Sequence, residues 1–404
     1  MKPDFAFAAQ LYRGLEPPVR EAVDQVAEAI ASAARKGGKV VVVTGSGPNV
    51  HEGVTTLIAE LLRNHLVHGV ITSSAVVAHE MAGGLDRVKR VDGERLGFAP
   101  ELLPKGGLFE ITLLEEAVLE QLRREMVIDM DLIRRAQELP GQVIIKAAGN
   151  MAYPVGLRTE RLALEVEALA DAHGLSFEQV AGLGADPRTM IGAGAVAGVP
   201  VLVSVPQLIG GGMVGLCVGD SIPLKRRSAR IARLLGEAEV IIESGVALTQ
   251  EIHDGPFETY TGHGIWSAWE GVRTFSLKGR TLVRIDLDPN LAKVWRLERQ
   301  DSSVQQSIDQ GLPKTKTFKV PFRMEMSGFA RLESSIPIVG DLGAVWPVLA
   351  WKASQALGLE LEFLSYPQES EPGKRMRDWI VDQVRILDRK KMLEGLKRYK
   401  EATA

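Results

Sequence analysis

An α/β fold built on a parallel sheet, with helices on both faces, is the architecture this 404-residue sequence predicts. Three observations carry the prediction. Short aliphatic runs are apolar throughout rather than alternating, as strands buried on both faces must be. Between them lie stretches whose apolar residues recur at helical spacing. The first two runs, residues 40–43 and 67–71, stop in small residues: Thr44-Gly45-Ser46-Gly47-Pro48-Asn49 and Thr72-Ser73-Ser74. Small residues at a strand end let a ligand approach the backbone, and the helix that follows offers free N–H groups to an anion. A nucleotide or phosphate pocket is the first functional expectation.

The elements follow in order. Pro17-Pro18 opens a helix whose apolar positions Val19, Ala22, Val23, Val26, Ala29, Ile30 and Ala33 share one face, and Gly37-Gly38 ends it. A helix over 54–64 separates the first two strands. Another begins at 75–81 and stops at Gly83-Gly84. Residues 86–107 read as a polar excursion and 110–139 as one long charged amphipathic helix. A third strand over 142–147, a helix over 160–173 closed by Gly174, and a fourth strand over 199–205 come next. A strongly basic helix spans 224–235. Strands at 239–243, 281–285 and 336–340 complete the sheet, the last feeding a helix over 344–357.

Beyond the Pro- and Glu-rich stretch 366–373, residues 374–400 predict a charged helix. Its apolar stripe includes Met376, Trp379, Ile380, Leu387, Leu393 and Leu396, and packs either on the domain or on a neighbouring subunit. The expected organisation is an N-terminal helical segment (1–38), the sheet domain (39–363), then a linker and C-terminal helix (364–404).

Composition narrows the function. A formal charge of −3, with both signs spread evenly, leaves no basic face for nucleic acid. Cys217 is alone and sits in an apolar run, as expected of a structural thiol in a reducing compartment. The N-terminus lacks the apolar core of an export signal. Residues 190–219 carry no charge, but Pro200, Pro206 and Gly210-Gly211-Gly212 would break a membrane helix. A cytoplasmic protein with no membrane partner is expected.

Several constellations have two readings each. Gly192, Gly194 and Ala197 match a dinucleotide fingerprint formally but precede a strand instead of following one, so they read as a tight turn. The 45–49 loop has the right context; it is a ligand loop or merely a steric strand stop. Asp286, past the strand 281–285, either accepts ribose hydroxyls or caps the turn at Asp288-Pro289. Asp341 binds a ligand or caps the next helix. Three His–acid pairs occur, His51-Glu52, His79-Glu80 and His253-Asp254, none in a zinc-binding spacing, so no metal is expected. His79 and Glu80 lie one turn into the helix after Ser74, where they serve proton transfer or amine binding, or form a surface pair. The Lys225-Arg226-Arg227 cluster with Arg230 and Arg233 reads as a solvated helix face.

Three blocks, taken in order, resemble the deoxyhypusine synthase family: SGPNVHEGVTTLIAELLRNHLVHGVITSSAVVAHEM (46–81), AEVIIESGVALTQEI (238–252) and IPIVGDLGAVWPVLAWKA (336–353). The resemblance implies a Rossmann-like NAD-binding fold assembled as a homo-oligomer, a dimer or tetramer. It implies that Ser46, Gly47, Thr72, Ser73, Ser74, Ala75, Gly245 and Asp341 line the dinucleotide, with Asp286 near the adenosine. His79 and Glu80 fall where that family binds its amine. The family's covalent lysine follows a Trp-Gly element that is missing here, leaving Lys314 or Lys316 to stand in, and its Lys-His-His has become Leu248-Thr249-Gln250. The implied function is an NAD-dependent enzyme that transiently oxidises a small amine or amino acid to an imine. Two alternatives stay open. One is an ornithine cyclodeaminase-like enzyme, suggested by Ile285-Asp286-Leu287-Asp288-Pro289; the other is a dinucleotide-binding protein without catalysis.

Overall fold

The computed structural model describes residues 1–45, 47–149, 151–208, 210–245, 275–289 and 335–403, with isolated positions at 271, 292–293, 296–297, 306–307, 310–312 and 319. Two helices, α1 (Phe5–Gly14) and α2 (Pro17–Arg35), precede β1 (Lys39–Thr44). The main sheet adds β2 (Gly69–Thr72), β6 (Val201–Val203), β7 (Ala238–Ser244), β8 (Thr281–Asp286) and β9 (Ser335–Val339). Its spatial order is β6-β2-β1-β7-β8-β9, every pair parallel. Numbered along the chain within this sheet, that is 3-2-1-4-5-6, the doubly wound order.

Valines build β1 because both of its faces are covered. Val40 and Val42 join the larger core with α2, α4 (Val54–Arg63), α10 (Met190–Ala197) and α13 (Leu342–Leu357). Val41 and Val43 face Ile231, Leu234 and Leu235 of α12 (Leu224–Glu237) on the other side. The order of the strands reverses between β1 and β7, where Val43 pairs with both Ile71 and Glu243. Helices therefore leave the carboxyl ends of the two halves in opposite directions, opening a crevice at that seam.

The expected third strand is not in this sheet. It is β5 (Gly141–Ala147), which with β3 (Leu85–Asp92) and β4 (Leu108–Thr112) forms a separate antiparallel sheet in the order β4-β3-β5. Arg87, Lys89 and Arg90 interleave with buried Val88 and Val91, so a one-sided strand reads as a polar excursion in sequence. The single helix expected over 110–139 is instead β4, α6 (Glu116–Glu125) and α7 (Met130–Glu138). Asp129 restarts the chain by accepting the Leu132 N–H at 2.8 Å.

The small residues read as a turn, Gly192 to Ala197, are helical in α10. A Cβ on Gly192 would meet Asp186 O at 2.1 Å, and one on Gly194 would meet Val201 Cγ2 at 2.6 Å, so glycine permits the close approach. The charged C-terminal helix is two helices, α14 (Glu371–Gln383) and α15 (Arg389–Thr403). Between them the backbone bonds elsewhere: the Leu387 N–H to Met81 O and the Asp388 N–H to Gly184 O, at 2.8 and 2.9 Å. Met376, Ile380, Leu387 and Leu396 are buried against the domain itself, which settles where the stripe packs. The basic cluster is also not one solvated face. Arg227 is fully buried and paired with Glu178 of α9 (Phe177–Gly184).

Cys217 is buried in α11 (Met213–Ser221), and burial beside Glu167 pushes its thiol up to about 12. No helix among the described residues is long and apolar enough to cross a membrane.

Candidate functional site

The crevice begins at Gly45 and Gly245, the residues that follow β1 and β7. Gly45 N–H bonds Ser244 O and Gly245 N–H bonds Ile285 O, both at 2.9 Å, so the strand ladder runs into the crevice floor. Gly245 has φ +93°, and a Cβ there would stand 4.0 Å from Gly45 Cα. The two glycines thus face each other across the seam, with the Asn49 amide the nearest side chain to both, 3.5 and 3.8 Å from where their Cβ atoms would be. A Cβ on Gly45 would make only ordinary contacts of 3.5 Å, and one on Gly47 would meet nothing within 4 Å. These positions are open for reasons other than internal packing.

A buried polar knot holds the floor. Thr44 Oγ1 and Thr72 Oγ1 are 2.8 Å apart and join β1 to β2. Asn49, in α3 (Gly47–His51), donates to Ser244 O at 3.2 Å and accepts from Ser244 Oγ, while Trp346 Nε1 donates to Ser244 Oγ at 2.8 Å. Neither Asn49 nor Trp346 was singled out from sequence. A lone Asn or Trp carries no local signal of a tertiary partner.

The remaining expected residues divide. Ser73 caps α5 (Ser74–Met81) by accepting the Val76 N–H at 3.2 Å. Ser74 Oγ lies 2.8 Å from Gln207 O and 2.6 Å from Gly210 O, tying the loop after β6 over the start of α5. A Cβ on Gly211 would come within 3.1 Å of Ala75 Cα, so this loop lies directly on Ala75. Thr72, Ser73, Ser74 and Ala75 therefore anchor the structure beside the crevice rather than leaving backbone bare. Asp286 Oδ1 accepts the Asp288 N–H at 3.0 Å, and Oδ2 is buried 3.5 Å from Arg284 Nη2, so the carboxylate serves its turn and an ion pair. Asp341 caps α13 through the Gly343 N–H at 3.1 Å. Ser46, His253, Asp254, Lys314 and Lys316 lie outside the described residues.

His79 and Glu80 point to different neighbours. Glu80 is buried in the core and accepts the Met190 and Ile191 N–H groups at 2.8 and 3.0 Å, capping α10. Adjacent residues on a helix diverge by about 100°, so the two do not share one crevice as expected. His79 Nδ1 lies 2.7 Å from Ala148 O. A carbonyl only accepts, so Nδ1 carries the proton and Nε2 of the neutral ring is the free base. Burial holds the His79 pKa below the usual imidazole value, with Lys146 adding to the effect.

Around His79 stands a cluster drawn from the whole chain. His51 ends α3, Lys146 comes from β5, and Arg377 reaches in from α14, donating to Ile145 O. Burial lowers His51 first, then the nearby charges of Arg377, His79 and Lys146 lower it further. Glu110 pairs with Lys146 at 2.5 Å. Asp86 accepts the Gly149 N–H at 2.9 Å; burial pushes it up to about 7 against that bond and Lys146.

Glu52 faces the other way, against the start of α13. Burial, with Asp341 and Glu369 nearby, pushes Glu52 up to about 7, although the Gln368 N–H at 2.8 Å opposes the shift. A Cβ on Gly343 would sit 2.4 Å from Glu52 Oε2, so only glycine admits the carboxylate there. The two groups are not segregated by sign. His51 and His79 are held toward the neutral form, and Lys146 is paired with Glu110. Glu52 is the foremost opposing charge acting on Arg377, with Asp341 and Glu369 acting on Glu52 in turn. Among the described residues, no group of three His, Cys, Asp or Glu is placed to hold a metal ion.

No protein-family model matches the sequence, and no curated protein matches it. Solved structures do resemble it. The apo arginine dihydrolase ArgZ, from the ornithine-ammonia cycle in cyanobacteria, is 13% identical over 85% of this chain and 32% of its own, with TM-score 0.39. The ternary complex of AgrE with ornithine and NAD+ is 15% identical over 85% of this chain and 34% of its own, with TM-score 0.42. A conserved LOR/SDH protein from Methanococcus maripaludis S2 is 10% identical over 89% of this chain and 70% of its own, with TM-score 0.36. The chain spans about a third of the length of the ArgZ and AgrE chains. These structures are not deoxyhypusine synthases. What stands of the resemblance read from sequence is the Rossmann-like parallel α/β fold, shown by the strand order itself.

Proposed function

We propose that the crevice between β1 and β7 seats NAD and that the protein is an enzyme acting on a small amino acid at its rim. The observation that carries this reading is the meeting of Gly45 and Gly245, neither with a side chain of its own, at the reversal of a 3-2-1-4-5-6 sheet. In such sheets the ligand lies outside the carboxyl ends of the strands at the switch point. When bound, NAD supplies the hydride acceptor for oxidising an amine carbon to an imine.

The protein's part is binding and proton handling. Arg377 favours an α-carboxylate, while Lys146 keeps its pair with Glu110; Glu52, Asp341 and Glu369 favour an ammonium group. That pairing fits a zwitterion better than a polyamine, whose charges are all positive. His79 Nε2 is the base that takes a proton from the substrate nitrogen, held by Ala148 O in the tautomer that leaves it free. The lysine-imine step expected at Lys314 or Lys316 and the homo-oligomer belong to the same proposal, as does an adenosine role for Asp286. That role requires Asp286 Oδ2 to exchange its Arg284 contact for a ribose hydroxyl.

Titration calorimetry with NAD+, then NADH fluorescence over a panel of amino acids and polyamines, tests the reading. Saturable NAD+ binding and amino-acid-dependent NADH formation are expected. Binding without turnover on any amine would leave a dinucleotide-binding protein, and no saturable binding would end the proposal.

A further inference from the structure

A cavity of about 500 Å³ opens at the opposite edge of the sheet, where β1, β2 and β6 begin. Lys39 lines it and Thr44 lies at the crevice, so the length of β1, about 17 Å, separates the two sites. Its walls are largely apolar, with Leu175, Leu183, Val199 and Leu234 among them. Its volume suits a small organic ligand.

The polar lining is rich in donors, with Glu178, Gln179, Glu237 and Tyr399 beside them. Lys39 is paired with Glu237 at 2.7 Å. Glu178 is committed to Arg227 and to the Val203 N–H at 2.7 Å. His68 Nδ1 accepts the Val40 N–H at 3.2 Å, so its Nε2 carries a proton. Arg230 and Arg233 also line the cavity. Neither has an ion pair with any described residue. Arg230 is half-buried; burial first and then Arg226 and Arg227 disfavour its charge, while Glu178 and Tyr399 favour it. A partly desolvated guanidinium without an ion pair of its own favours an anion that can accept two parallel N–H bonds.

We infer that this cavity binds a small amphipathic carboxylate, with its acid group on Arg230 and Arg233 and its apolar body against the leucines. The site is independent of the crevice and of the chemistry proposed there. A phosphate or sulfate would meet the cations but leave the apolar walls unused, whereas an aryl or alkyl acid uses both.

Calorimetry and thermal shift on the full-length protein, with hexanoate and 3-phenylpropionate as probes, test the inference against hexanamide and 3-phenylpropanamide. The acids are expected to bind saturably and the amides at least tenfold more weakly. Arg230→Met should weaken acid binding at least tenfold without lowering the Tm of the ligand-free protein, because the half-buried charge has no ion pair among the described residues and burial disfavours it. Ala195→Phe, projecting from α10 into the cavity, should abolish binding of both probes and keeps the inference testable if Arg230→Met does not fold. Equal affinity for acids and amides, acid binding retained in either variant, or no saturable binding of either acid would overturn it.

Discussion

Asn49 and Ser244 exchange two hydrogen bonds across the seam where the sheet reverses, Nδ2 donating to Ser244 O and Ser244 Oγ donating to Oδ1. The residues are 195 apart in sequence and both are buried. One amide side chain therefore holds the first helix of the first half to the last residue of the strand that opens the second half. Trp346 Nε1 completes the knot from α13.

Asn49→Ala leaves the buried Ser244 carbonyl and hydroxyl with fewer partners. Ser244 O keeps the Gly45 N–H and Ser244 Oγ keeps Trp346 Nε1, so only the hydroxyl proton loses its acceptor. An unsatisfied buried group costs about 1–3 kcal/mol, and a loss of that size is expected in urea unfolding. NAD+ affinity should fall with it, because Gly45 is bonded to the same Ser244 carbonyl. Unchanged stability would show that the two hydrogen bonds do not persist in solution.

Gly45→Ala and Gly245→Ala separate ligand approach from backbone strain. Gly45 has room for a Cβ, so its alanine variant should keep the stability of the parent to within about 1 kcal/mol. Gly245 has φ +93°, and alanine there should cost about 1–3 kcal/mol. Both should weaken NAD+ at least tenfold in calorimetry. A Gly45→Ala protein that binds NAD+ normally would move the ligand away from the seam.

The strands β1, β2, β7, β8 and β9 were legible in sequence because burial on both faces gives each an aliphatic run, even though Glu243 and Arg284 are buried within β7 and β8. The strands β3 and β4 were not, and β5, legible as a strand, joins a different sheet from the one expected: charges at Arg87, Lys89 and Glu110 interleave with apolar residues on a one-sided sheet, and such polarity resembles a loop or a charged helix. The same limit applies to the site. Gly45 and Gly245 announce themselves as small residues at strand ends. Lys146 and Arg377 come from the inserted sheet and the C-terminal helix, and only the tertiary fold brings them to His79. Glu80 misled for a simple reason, since it adjoins His79 in sequence yet projects toward α10.

Three buried carboxyls, Glu52, Glu80 and Asp86, stand at about 7. A carboxyl raised in the folded state binds more protons there than when unfolded. Its stabilising contribution is full below its unfolded pKa, 4.5 for Glu80, and is lost as pH rises through about 7. The lowered histidines act oppositely, losing stability as pH falls below 6.5. Glu80→Gln isolates the carboxyl effect. The fall in stability between pH 5 and 8 should shrink relative to the parent by on the order of 3 kcal/mol. Tm measured across that range checks it, and parallel curves would show that Glu80 is not protonated in the folded protein at pH 5.

Arg227 and Glu178 form an ion pair with both side chains fully buried. Arg227→Met alone strands the carboxylate and should cost about 3–5 kcal/mol. Glu178→Gln added to it should restore part of that loss, because a neutral amide oxygen can still accept the Val203 N–H. Urea unfolding of the single and double variants measures the recovery, and an additive or larger loss in the double variant would exclude stranded charge as the cause.

His79 and Arg377 have separable parts in the proposed reaction. His79→Gln keeps a donor for Ala148 O but removes the basic nitrogen, so kcat for amino-acid oxidation should fall about 10²–10⁴-fold with KM little changed. Arg377→Lys keeps the charge but loses the planar fork. It should raise KM for amino acids at least tenfold, with a smaller change for simple amines that lack a carboxylate. The pH profile supplies an independent check: the ascending limb set by His79 should lie below the ordinary imidazole value, because burial and Lys146 disfavour its charged form. A His79→Gln enzyme with the parent's kcat and the same ascending limb would assign the base to another residue.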